Sequence, residues 1–106
     1  MSAQRRPLDL ALYQVWYFVV GFLLGNGVPH FVFGRAGKIF RSPFGQRSPP
    51  GTNVLWGLAN FVMASIVVGA LALLNLFSSL SLIVLLAGFW LTMLMFGTRI
   101  KRFLNE

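Results

Sequence analysis

The chain has 106 residues, 57% of them apolar and only 10% charged, and its nine basic and two acidic residues give a net charge of +7. A soluble domain carries about 25% charged residues, so this composition excludes a fully water-facing surface and implies a lipid-facing one. There is no cysteine, which excludes disulfides, thiol catalysis, iron–sulfur clusters and cysteine zinc sites.

The expected class is all-α: an integral membrane protein with three transmembrane helices in one membrane domain. A spanning helix needs about 20 apolar residues, at about 1.5 Å rise each across about 30 Å of hydrocarbon. The first run without a full charge, Leu10 to Gly34, holds one span, expected over about 10–30. Pro7 suits a first helical turn, and Asp9 places a negative charge at the positive end of the helix dipole. Gly25, Asn26, Gly27 and Pro29 all weaken a helix, so a kink or an early end is expected there. Arg5 and Arg6 resemble the charged start of a signal peptide, but no small-residue cleavage pattern follows the apolar stretch, so a retained span is expected.

The segment 34–52 is the one substantial stretch outside the bilayer. It is rich in glycine and proline and carries Arg35, Lys38, Arg41 and Arg47, interleaved with Ile39, Phe40 and Phe44. Basic residues beside large apolar ones read as a segment lying on an anionic membrane surface, with the apolar side chains dipping in. The four basic residues are therefore expected to contact anionic lipid headgroups; docking of an acidic partner is the alternative.

The second uncharged run, Ser48 to Thr98, is too long for one span. Asn75, Ser78 and Ser79 favour caps and turns and divide it. This gives a second span at about 53–74 and a third at about 80–98, expected to pack as a tight antiparallel hairpin, followed by a basic tail, 99–106. Tyr13, Trp16, Tyr17 and Trp56 occupy interfacial belt positions, whereas Trp90 falls mid-span and is expected to pack against another helix.

Three spans put seven basic residues (Arg35, Lys38, Arg41, Arg47, Arg99, Lys101 and Arg102) on one side and Arg5 and Arg6 on the other. Excess Lys and Arg marks the cytoplasmic side. The expectation is a bacterial inner membrane protein with its C-terminus in the cytoplasm. In the competing arrangement the first span dips in and returns, placing all nine basic residues inside.

The chemistry-bearing residues are few. Asn26 and His30 lie one helical turn apart, and Asn53 and Asn60 two turns apart on one face. By helical rise, Asn26, Asn60 and Thr92 lie at similar depths from the basic side, with His30 and Asn53 nearer the surface. Amides in hydrocarbon need partners, so this polar cluster is expected to be inter-helix glue; a binding or conduction site is the alternative. Gly21 and Gly25 form a Gly-xxx-Gly pair, and Gly57 and Gly88 also allow close backbone approach. These features suit a compact bundle, a homo-oligomer or a larger membrane complex. His30 alone cannot build a metal site, so no metal and no cofactor is expected. With no nucleophile–base set, no carboxylate pair and no phosphate loop, enzyme chemistry is not expected. No basic run reads as a recognition helix, so no nucleic-acid partner is expected.

The residues Asn26-Gly27-Val28-Pro29-His30-Phe31, Gly34, Gly37, Phe40, Ser42-Pro43-Phe44, Pro49-Pro50, Asn53-Val54-Leu55-Trp56-Gly57 and Asn60 together resemble a pattern in small bacterial integral membrane proteins. No function is attached to that pattern. The resemblance implies that the loop and the polar cluster form one unit.

Overall fold

A computed structural model describes residues 7–104, with side chains from residue 11 onward. It contains α1 (Pro7–Arg35), α2 (Pro50–Leu73) and α3 (Ser79–Phe103). Each is long and apolar enough to cross a membrane. Arg5, Arg6 and Glu106 lie outside the described residues, as does the Asp9 side chain.

Helix α1 continues through Pro29 to Arg35, past the expected early end. Proline removes one backbone hydrogen bond and crowds the preceding turn. Packing outweighs that loss here, because α1 touches both other helices along this stretch. Helix α1 is a single continuous helix of 29 residues.

Both inter-helix turns use one device. After α1, the Lys38 amide donates to the Phe33 carbonyl at 2.9 Å and the Gly37 amide to Gly34 at 3.0 Å. Gly37 sits at φ +78°, the left-handed position that closes a helix in this way and favours glycine. After α2, Leu76 donates to Leu71 and Asn75 to Ala72, both at 3.0 Å. Asn75 takes the same position at φ 57°, a conformation asparagine tolerates better than most residues. Pro50 then suits the first turn of α2, and Ser78 with Ser81 caps the start of α3. The division of the long apolar run falls where its polar residues placed it.

The packing order differs from the expected hairpin. No Cα atom of α2 comes within 8 Å of one of α3; both pack against α1, which is the central helix. α2 runs antiparallel to α1, with Gly57 against Phe31 and Gly27, while α3 runs parallel to it, with Gly88 against Phe18 and Phe22. The reason is visible along α1. A Cβ at Gly21 would strike the backbone at Leu85 and Phe89, and one at Gly25 would lie 2.8 Å from the Thr92 side chain. On the other flank, a Cβ at Gly27 would lie 2.7 Å from the Phe61 ring and 2.9 Å from the Gly57 carbonyl. A Cβ at Gly34 would lie 2.7 Å from the Pro50 carbonyl. At 100° per residue these two glycine faces are roughly 150° apart around the helix. One face admits α3 and the other α2.

The loop between α1 and α2 is folded on itself and against the bundle. Ser42 and Gly45 exchange backbone hydrogen bonds at 3.0 and 3.1 Å, and the Phe40 amide donates to the Ser48 carbonyl. Ser48 Oγ donates to the Gly45 carbonyl at 2.8 Å, leaving Ser42 Oγ to donate to Ser48 Oγ. The chain end closes over it: the Arg41 amide donates to the Phe103 carbonyl, and Phe40 bridges Leu104. Phe40, expected to dip into lipid, is fully buried. It stacks on Phe33 and Phe103 with ring centroids 5.1 and 5.5 Å away, enclosed by aromatic rings of α1 and α3. The expected tail therefore begins as helix: α3 kinks at Arg99 and runs on to Phe103. Trp90 also departs from expectation. It is 63% exposed on the outer face of α3, since only α1 lies beside that helix.

Candidate functional site: a polar-floored cleft at the basic end

Because α1 separates α2 from α3, a cleft of about 390 Å³ opens beside it at the basic end. Its floor is Phe22, Asn26 and His30 of α1, residues spaced by four and hence on one helix stripe. That stripe falls in the wider arc between the two glycine faces, about 210° across at 100° per residue. Trp56 of α2 stands on one side, and Met95 and Phe96 of α3 on the other. Arg41, Ser42, Pro43 and Phe103 form the roof.

Asn53 organises the floor. Its side-chain nitrogen donates to the Phe40 carbonyl at 2.8 Å and the Ser48 carbonyl at 3.2 Å. This fixes the amide orientation, so Oδ1 is the atom that meets His30 Nδ1 at 2.7 Å. An amide oxygen only accepts, so His30 Nδ1 carries the proton of this bond. His30 is 3% exposed, with Phe40 and Phe96 edge-on to its ring at 5.1 and 5.9 Å. One turn deeper, Asn26 Nδ2 donates to Asn60 Oδ1 at 3.0 Å, and Asn60 Nδ2 donates to the Trp56 carbonyl at 2.8 Å. The His30–Asn53 and Asn26–Asn60 pairs thus both join α1 to α2.

Thr92 does not join them. Its hydroxyl donates to the Gly88 carbonyl of its own helix at 2.7 Å, and its side chain packs against Gly25. A hydroxyl can satisfy its one donor on the preceding turn, whereas the Asn60 carboxamide bonds its preceding turn through Nδ2 and still has Oδ1 to accept from Asn26. Gly21, Gly25, Gly57 and Gly88 all lie at helix crossings. Gly27 and Gly34 also do, and were missed; their spacing of seven, two turns on one face, was the available signal. Trp56, assigned to the interfacial belt, lines the cleft. Among the described residues its Nε1–H is one of two buried side-chain polar atoms without a partner, with Gln14 Oε1 the other.

Of the loop cations, Arg41 reaches the cleft, its guanidinium 5.8 Å from the centre of the Phe103 ring. Arg35 and Arg47 are exposed at the same end, and Lys38 is half-buried. Among the described residues no three histidine, cysteine, aspartate or glutamate side chains stand close enough to hold a metal ion.

Comparison with family models, with curated proteins and with solved structures finds no match to this chain. The functional reading rests on the site itself.

Proposed function

We propose that this protein is a non-enzymatic integral membrane protein of a bacterial inner membrane, serving as an accessory subunit or a self-associating helical bundle. The observation that carries the reading is the use made of the interior polar groups. Asn26 and Asn60 bond each other across two helices, and Asn53 ties His30 to the loop. These are groups spent on holding α1, α2 and the loop together. What the bundle offers outward is apolar surface, including Trp90, Leu91 and Leu94 on α3 and Leu55 and Ile66 on α2, suited to lipid and to neighbouring helices. The basic loop and the helical end of α3 lie together, which supports a cytoplasmic C-terminus by the excess of Lys and Arg on that side.

An oligomeric channel or transporter is the second reading, favoured by the cleft whose floor includes Asn26 and His30. Native mass spectrometry after mild detergent extraction, with Asn60→Leu alongside, separates the two. The accessory or self-associating role expects a homo-oligomer or a foreign subunit, and an Asn60→Leu chain that loosens the bundle by about 0.6–2 kcal/mol. An intact Asn60→Leu assembly that has lost a flux present in wild-type liposomes would overturn it in favour of conduction. A reporter fused to the C-terminus is expected to be active in the cytoplasm; activity only outside would reverse the orientation.

A further inference from the structure

The cleft has features that bundle formation does not require. His30 is 3% exposed and its Nδ1–H is committed to Asn53. Trp56 Nε1–H is buried without a partner. Arg41 stands over the Phe103 ring at the roof. One lining therefore combines a donor that needs an acceptor and a cation. An isolated buried polar group without a partner costs about 1–3 kcal/mol, so a ligand that accepts from the Trp56 indole is favoured.

We propose that this cleft binds the headgroup of one anionic glycerophospholipid. The phosphate lies at Arg41 and Trp56, with the rest of the headgroup over the floor that His30 and Asn26 line. The inference rests on reading the chain as a membrane protein and adds a lipid site to it. Three observations select a lipid. The cleft opens sideways, because no Cα of α2 comes within 8 Å of α3. Below it, the same wide arc of α1 exposes Phe22, Val15 and Leu12, a path for acyl chains. His30 lies about 8 Å from the end of α1 at 1.5 Å per residue, at headgroup rather than mid-bilayer depth. The cleft volume of about 390 Å³ is within the range of ligand sites, roughly 300–1,000 Å³, and suits a headgroup with the chains left outside. The seven basic residues gathered at this end favour an anion.

The test is native mass spectrometry of the full chain in detergent, titrated separately with short-chain phosphatidylglycerol, short-chain phosphatidylcholine and glycerol 3-phosphate. The expected result is a saturable one-to-one adduct with phosphatidylglycerol only. Arg41→Gln, an exposed position that keeps the fold, should weaken that adduct about tenfold, the equivalent of one charge-assisted contact of about 1.4 kcal/mol. Trp56→Phe should weaken it too, while Arg47→Gln leaves it unchanged. Equal weakening by Arg41→Gln and Arg47→Gln would mean diffuse surface attraction and overturn the proposal. Equal binding of phosphatidylcholine would also overturn it, as would equal binding of glycerol 3-phosphate, which would point to a soluble phosphate ligand. The subunit mass in the same spectra reports assembly independently, so an oligomer without a lipid increment refutes the lipid site and leaves the accessory role standing.

Discussion

Asn53 is the residue on which the basic end depends. Its two side-chain ends bind in opposite senses, the nitrogen to loop carbonyls and the oxygen to His30. Leucine matches its size but serves none of these groups, leaving the His30 N–H and the Phe40 carbonyl without the Asn53 side chain at about 1–3 kcal/mol for each unsatisfied group, while the Ser48 carbonyl keeps the Phe40 amide. Asn53→Leu should therefore lower the thermal unfolding temperature in detergent and speed tryptic cleavage at Arg41 and Arg47, because the cap loses its tie to α2. Unchanged cleavage would show that the backbone bonds of the loop suffice. The sequence placed Asn53 correctly at the loop-proximal end of the polar set, but not its partners. A carboxamide advertises a need for hydrogen bonds without saying whether a histidine, an amide or a carbonyl meets it.

At the scale of elements, the turns were more legible than the helix termini. Asn75 marked the break in the long apolar run because a short polar side chain tolerates the left-handed conformation that ends a helix. Asn75→Gly should be neutral or slightly stabilising, whereas Asn75→Val should destabilise by about 1–2 kcal/mol, since a β-branched residue is disfavoured at positive φ. Chemical denaturation monitored by circular dichroism checks the pair; equal effects would mean that the turn is not left-handed in the folded protein. At Pro29 the sequence predicts a kink or an early end, and α1 runs through it to Arg35. Local propensity favours a stop there, and only contacts with two other helices, which propensity does not contain, carry the helix on to Arg35.

For the whole molecule, the decisive feature is that α1 lies between α2 and α3. Its two glycine faces make this possible, and the chain's lack of cysteine allows a direct check. Asn26→Cys with Asn60→Cys should form a disulfide under mild oxidation. A pair such as Ala64→Cys with Leu85→Cys should not, because α2 and α3 stay beyond 8 Å between Cα atoms and a disulfide needs about 4.4–6.8 Å. Efficient α2–α3 cross-linking within one chain would restore the hairpin and close the cleft. Sequential elements are neighbours more often than not, which is why the hairpin was the natural expectation. The short turn does join α2 to α3, but it splays them.

The sequence by itself determined the number of helices, their approximate extents, the polar residues inside and the gathering of basic charge at one end. Each of these follows from composition and spacing along the chain: a run of apolar residues is either long enough to cross hydrocarbon or it is not, and charge either interrupts it or does not. Only the tertiary structure decided that α1 is central, that Phe40 and Phe103 fold the loop and chain end into a cap, that Thr92 bonds its own helix, and that a cleft remains over Asn26 and His30. Those outcomes depend on which helix faces approach closely enough to touch, and a one-dimensional pattern shows that a face is small or polar without showing what will be brought against it.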